Sequence, residues 1–162
     1  MERHIDVQLR KVKDELLRMG SLLPVLPKWI GSALLAIGAV TALYGILHAL
    51  AQADYKRLLA YSSIENLGIV FMGLGLGWTG RATGNAWLVS LGLGGALLHV
   101  WNHSAFKTLL FFGAGSVLHA TDTRDIEKLG GLARLMPKTA LCVLPGALAV
   151  AWLPPFNGFI SE

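Results

Sequence analysis

The sequence predicts an all-α, polytopic transmembrane helix bundle that includes one broken helix. Three observations predict it. Apolar residues make up 54% of the 162 positions and charged residues only 15%, against about 25% charge in a typical soluble domain. The charges cluster outside long apolar runs. No segment shows the period-two alternation of a half-buried strand. Mean hydropathy is +0.55.

Residues 1–20 differ from the rest. Ile5, Leu9, Val12, Leu16 and Met19 recur at steps of four and three, which draws one apolar stripe on a charged helix. That pattern fits an amphipathic interfacial helix or a solvated, poorly ordered terminus. No apolar core precedes a small-residue cleavage site, so no signal peptide is expected.

Residues 21–162 hold the membrane domain. Trp29–Ala51 is free of formal charge over 23 residues, and about 20 cross a hydrocarbon core. Leu58–Trp78 is a second span, interrupted by Glu65 and Asn66. Ala86–Ala120 is too long for one perpendicular helix: at 1.5 Å per residue it would reach roughly 52 Å. One long tilted helix is expected there, with two short helices as the alternative. Thr139–Leu153 has only 15 residues, roughly 22 Å of helix, and Pro154, Pro155, Phe156, Asn157 and Gly158 then stop it. Loop 154–162 therefore reads as the break in a helix at membrane depth, tolerated only against protein or a wet cavity. The alternative is a span that ends early, with Pro154 opening a surface loop.

The basic residues suggest an orientation. Of fourteen Lys and Arg, six lie in 1–28, two at Lys56 and Arg57, one each at Arg81 and Lys107, and four in 120–138. With alternating spans, loops 52–57 and 120–138 share a side, and the positive-inside rule makes it cytoplasmic. The basic N-terminal segment opposes this, but only Arg18 and Lys28 lie close to the first span. Net charge +4 is thus juxtamembrane charge, not a nucleic-acid patch.

Chemistry-bearing residues stand inside the apolar runs. Lys107 sits two helical turns beyond His99 and one beyond His103 in HVWNHSAFKTLLFFGAG. Residues four apart stack on one helix face, so the three share a face. A lysine at the centre of a bilayer costs about 2.5–3.5 kcal/mol on insertion scales. A chain keeps such a group when it has a partner, a water path or a use for its proton. About twelve apolar or small residues follow before Thr121, which makes snorkelling difficult. A structural lysine paired with a neighbouring helix is the competing reading. His99 and His103 could share a metal ion, but no third ligand lies at helical spacing; a proton wire or a hydrogen-bonding role suits them better.

Glu65 lies in the second span with Tyr61 at i−4 and Ser62 at i−3. It is either a partner of Lys107 and a stage in proton transfer, or a carboxylate satisfied near the cytoplasmic interface. His48, with Tyr44 at i−4, suits an interfacial hydrogen bond. Gly73–Gly77, Gly92–Gly95 and Gly113–Gly115 lie in apolar helices with no preceding strand. They allow close helix approach and do not make a nucleotide loop. No Walker motif, catalytic triad or CxxC is present. Cys142 has no partner for a disulfide within the chain, and one cysteine cannot ligate a cluster. No cofactor and no metal are expected.

Three stretches carry a resemblance: ALAQADYKRLLAYSSIENLGIVFMGLG, LLHVWNHSAFKTLLFFGAGSVLHATDTRDIEKLGGLARLMPKTA and LPPFNGFISE. In this order they resemble the antiporter-like proton-translocating subunits of complex I, Mrp cation/proton antiporters and membrane-bound hydrogenases. Ser-Ile-Glu-Asn-Leu-Gly after KRLLAYSS is most similar to the hydrogenase-4 and formate hydrogenlyase branch. The resemblance covers about residues 16–162. It implies a fold of about fourteen helices in two inverted five-helix repeats, each with one broken helix, of which this chain is part of the second repeat. It further implies that Lys107 matches the central lysine and that His99 and His103 match positions polar in several relatives. Glu162 matches the ionisable position on the broken helix. The stretch MERHIDVQLRKVKDE departs from the family, which runs an apolar helix there. The chain is thus expected to be a fragment.

The resemblance implies proton translocation through Lys107, His103, His99, Glu65 and Glu162 in a hydrogenase-type redox complex. Such a chain is not catalytic on its own. Its partners would be other membrane subunits and a peripheral redox arm, with protons, and in some branches sodium, as cargo. Its place would be a bacterial or archaeal cytoplasmic membrane, crossed several times. The alternatives are a complex I or Mrp-type subunit, and a non-transporting assembly piece.

Overall fold

The computed structural model describes residues 27–151 together with positions 11, 153, 154 and 158. The readings of residues 1–20 as an interfacial helix, and of Pro155, Asn157 and Glu162 as parts of the break, lie outside the described residues. The described residues form helices α1 (Trp29–Leu50), α2 (Tyr55–Thr83) and α3 (Ala86–Thr121). A 3₁₀ turn follows at Ile126–Lys128, then α4 (Leu132–Leu135) and α5 (Pro137–Val150). α1 packs on α2, α2 on α3, and α3 on α5.

The helix ends follow local chemistry. Asp54 caps α2, its carboxylate accepting from the backbone N–H of Lys56 and Arg57 at 2.9 and 3.0 Å. α2 therefore starts at Tyr55, a turn earlier than the apolar run suggests. It runs through Glu65 and Asn66 without interruption and closes on Gly84, whose φ of 71° is left-handed and costs glycine little. Asn85 then caps α3. α3 is one continuous helix of 36 residues, about 54 Å long; the two-helix alternative does not occur. α5 opens with Pro137 at its first turn, where a missing N–H costs nothing.

Large apolar side chains lie on the outside of the bundle. α1 buries only Gly31, Gly38, Gly45 and Ala49 and exposes Ile37, Val40, Leu43 and Leu47. The three glycines recur every seven residues and bring the α2 backbone against α1. A Cβ at Gly38 would meet the Gly68 carbonyl at 2.7 Å, and one at Gly45 would strike the backbone of Glu65. Gly73 and Gly92 do the same between α2 and α3, and Gly113 meets Val143 of α5. Gly94, Gly95 and Gly115, by contrast, face open space, so close approach explains only some of the glycines singled out from sequence. The buried polar side chains are Ser62, Asn66, His99, Asn102 and Lys107. They lie beside buried Leu59, Phe106 and Leu110, and an outer surface of large apolar side chains around such an interior suits a hydrocarbon solvent. α1 and α2 are long and apolar enough to cross a membrane.

The two ends of the bundle differ. Ala53 and Tyr55 pair with Arg124 and Ile126: Tyr55 N–H donates to the Arg124 carbonyl at 3.0 Å and Ile126 N–H to the Ala53 carbonyl at 2.8 Å. This isolated bridge holds the α1–α2 turn against the loop after α3. At the opposite end Gly31 packs on Gly75 and Thr79, which sets Trp29 level with Trp78 and Trp87. Tryptophans gathered at one level mark an interfacial belt.

Candidate functional site: a polar seam between α2 and α3

α2 and α3 run antiparallel, and each turns one polar stripe toward the other. On α2 the stripe is the Leu59 carbonyl, Ser62 and Asn66; on α3 it is His99, Asn102, His103 and Lys107. Lys107, 5% exposed, donates from Nζ to the Leu59 carbonyl at 3.2 Å. Ser63 Oγ donates to the same carbonyl at 3.0 Å. Two turns along, His99 Nε2 lies 3.0 Å from Asn66 Oδ1, and Asn66 Nδ2 donates to the Ser62 carbonyl at 2.7 Å.

His103 stands between these two anchors. Its ring lies 6.0 Å from that of His99, nearly parallel, and meets Phe106 edge-on at 5.4 Å. His103 Nε2 is buried and has no hydrogen-bond partner among the described residues. Glu65 is half-buried. Ser62 Oγ lies 3.5 Å from Glu65 Oε2, a long contact for such a pair, and the carboxylate interacts with Lys107 through space. The acceptor that touches Lys107 is thus a neutral carbonyl. A lysine donates to a carbonyl in its charged and in its neutral form, so the proton can leave without breaking the contact.

A cavity of about 240 Å³ opens beside Glu65, where Ser62, Glu65 and Asn66 face Leu50 of α1 and Val150 at the end of α5. A water needs about 30 Å³ and two or more polar partners, and the cavity provides both. α5 stops at Val150, Pro154 lies in an exposed turn, and Gly158 is helical and buried. Gly158 lies against Ala149: a side chain there would strike the Ala149 carbonyl.

Among the residues singled out from sequence, the seam brings together Lys107, His99 and His103, with Glu65 at its edge. His48 lies apart. Its Nδ1 is 3.0 Å from the Tyr44 carbonyl and its ring is 5.3 Å from that of Tyr61. Sequence reasoning missed the acceptors: the Leu59 carbonyl, and Asn66 as partner of His99. Asn66 was visible as a polar residue within a span, one turn after Ser62. The pairing needs the α2–α3 register, which no local pattern contains.

Residues 15–162 match a transmembrane family described as NADH:quinone oxidoreductase/Mrp antiporter. Hydrogenase-4 component B of Escherichia coli is 50% identical over 137 residues, covering 85% of this chain and 20% of that protein. Formate hydrogenlyase subunit 3 of Escherichia coli is 52% identical over 136 residues, 84% of this chain and 22% of its own length. An Na(+)/H(+) antiporter subunit of Bacillus subtilis is 40% identical over 134 residues, 83% of this chain and 16% of its own. The chain therefore spans about a fifth of the length of these relatives. By this match over nearly its whole length, the chain belongs to the NADH:quinone oxidoreductase/Mrp antiporter transmembrane family.

Proposed function

We propose that the chain is part of a proton-translocating membrane subunit of a hydrogenase or formate hydrogenlyase-type complex. The observation that supports this reading is Lys107, buried between α2 and α3 against a neutral main-chain carbonyl. A purely structural lysine would gain most from a direct carboxylate partner, which offsets the cost of burying its charge. A carbonyl contact with Glu65 acting through space leaves the charge free to change. Protons would move among Lys107, His103, His99 and Glu65, with water in the cavity beside Glu65 as the entry. Glu162 would supply the ionisable group of the broken helix. Electron transfer would occur in a peripheral redox arm, with other membrane subunits completing the path, in a cytoplasmic membrane of a bacterium or archaeon that the chain crosses several times.

The identity to a sodium/proton antiporter component favours a second reading, exchange of sodium for protons. Proton uptake by vesicles that hold the complete complex separates the two. Uptake driven by the redox reaction and indifferent to sodium is expected. Uptake that requires sodium would favour the exchanger. Co-purification with a nickel-iron hydrogenase is expected; co-purification with a quinone-reducing module would move the chain to a complex I-type assembly.

A further inference from the structure

We infer that Asn66 is a positioning residue that fixes the tautomer of His99, so that His99 gains and loses its proton at Nδ1 alone. The argument starts from the amide. A side-chain amide has one end that only donates and one end that only accepts. Asn66 Nδ2 lies 2.7 Å from the Ser62 carbonyl oxygen, which can only accept. The NH₂ end must point there, because the flipped amide would set two oxygens against each other at that distance. Oδ1 is then the atom 3.0 Å from His99 Nε2. Since Oδ1 only accepts, Nε2 must carry a hydrogen. Tautomers are inferred from hydrogen-bond networks in this way, and here a main-chain carbonyl, which has no alternative role, fixes the chain of inference at its far end.

Burial makes the lock effective. Asn66 is 6% exposed and His99 1%, and an unmade bond in such a place is costly. Turning the ring to present Nδ1 to Asn66 would mean breaking the contact first.

The consequence is chemical and rests on the proton-path reading. An imidazole passes a proton through itself by accepting at one nitrogen and releasing from the other. His99 held in this way does not. A proton arriving at Nδ1 makes the imidazolium, and the same proton must leave from Nδ1 to restore the Nε2–H form. His99 is therefore a station loaded and emptied from one side. The through-conducting steps fall to His103, Lys107, Glu65 and water.

The test is ¹⁵N-histidine NMR of the complete complex in lipid, with the His99 signals assigned by their loss in His99→Gln. An unprotonated imidazole nitrogen resonates far from a protonated one, so the tautomer is read directly. The expected wild-type result is a protonated Nε2, with any pH-dependent change at Nδ1. Asn66→Leu should give a mixture of tautomers and a several-fold fall in proton uptake. Asn66→Asp, which keeps an acceptor and adds a charge, should hold His99 as the imidazolium. A wild-type His99 protonated at Nδ1 and bare at Nε2 would overturn the inference. So would an unchanged tautomer in Asn66→Leu, even with uptake lost, because a merely structural Asn66 would behave that way. If Asn66→Leu does not assemble, the Asn66→Asp spectrum decides alone: a hydrogen kept on Nε2 supports the inference, and a bare Nε2 there overturns it. Failure of the proton path itself shows separately, as normal uptake by Lys107→Ala.

Discussion

At the scale of single residues the seam assigns unequal roles. Lys107 donates to the Leu59 carbonyl, and that carbonyl keeps the Ser63 hydroxyl when the lysine is gone. Removing the side chain therefore leaves no orphaned acceptor there. Glu65 acts on Lys107 through space, so Glu65→Gln should slow proton uptake while the complex still assembles. Redox-driven uptake measured beside native gel analysis of the complex checks this, and a normal rate would detach Glu65 from the path. His103→Ala should have a weaker effect than loss of Lys107, because water can take the place of one member of a hydrogen-bonded wire. The types and spacing of these groups were legible in the sequence: three titratable residues at steps of four in an apolar run leave few readings. Their partners were not. Asn66 lies 33 positions from His99, and only the antiparallel register brings them together.

At the scale of elements, backbone proximity decides the packing. Gly45 lets α1 lie against α2 at the level of Glu65. Overpacking a tight contact typically costs about 1–3 kcal/mol, so Gly45→Val should lower thermal stability in detergent and displace Glu65. Unchanged unfolding temperature and uptake would count against the close crossing. The Asp54 cap gives a second element-level prediction. Its carboxyl is held below the usual carboxylate range, chiefly by the backbone N–H of Arg57, with Lys56, Arg124 and the Arg57 charge adding to it. A group lowered on folding stabilises above its unfolded value, and that contribution is lost as pH falls through the folded value. The wild type should therefore lose stability on acidification below about pH 4, and Asp54→Asn, which caps without titrating, should lose less. The same acid sensitivity in both would show that the cap is not responsible. The long helices were readable from run length, and the start of α2 was not: an N-cap extends a helix beyond its apolar run, as Asp54 does for α2.

At the scale of the whole molecule, the account describes a membrane bundle with two dissimilar ends. The α1–α2 turn and the loop after α3 are bonded to each other, and Thr83 lies at the opposite end of α2; in the proposed multi-pass arrangement the two ends face different compartments. Cysteine labelling tests this. On a background of the complete protein with Cys142 and every other cysteine replaced, Ala53→Cys and Gly130→Cys should react with an impermeant thiol reagent from the same side, and Thr83→Cys only from the opposite side. Labelling of Ala53→Cys and Thr83→Cys from one side would contradict the topology. Circular dichroism in detergent should show helix with little strand. The labelling also tests the side that the loop charges suggest. The tryptophan level at Trp29, Trp78 and Trp87 emerged only from the helix register, since Trp29 is distant in sequence from the other two. The central claim is that Lys107 carries protons rather than holding the bundle together. The most direct measurement is redox-driven proton uptake by vesicles containing the complete complex with Lys107→Ala, with subunit content quantified in the same preparation. The account predicts uptake nearly abolished in a fully assembled complex. Wild-type uptake, or a complex that fails to assemble, would contradict it.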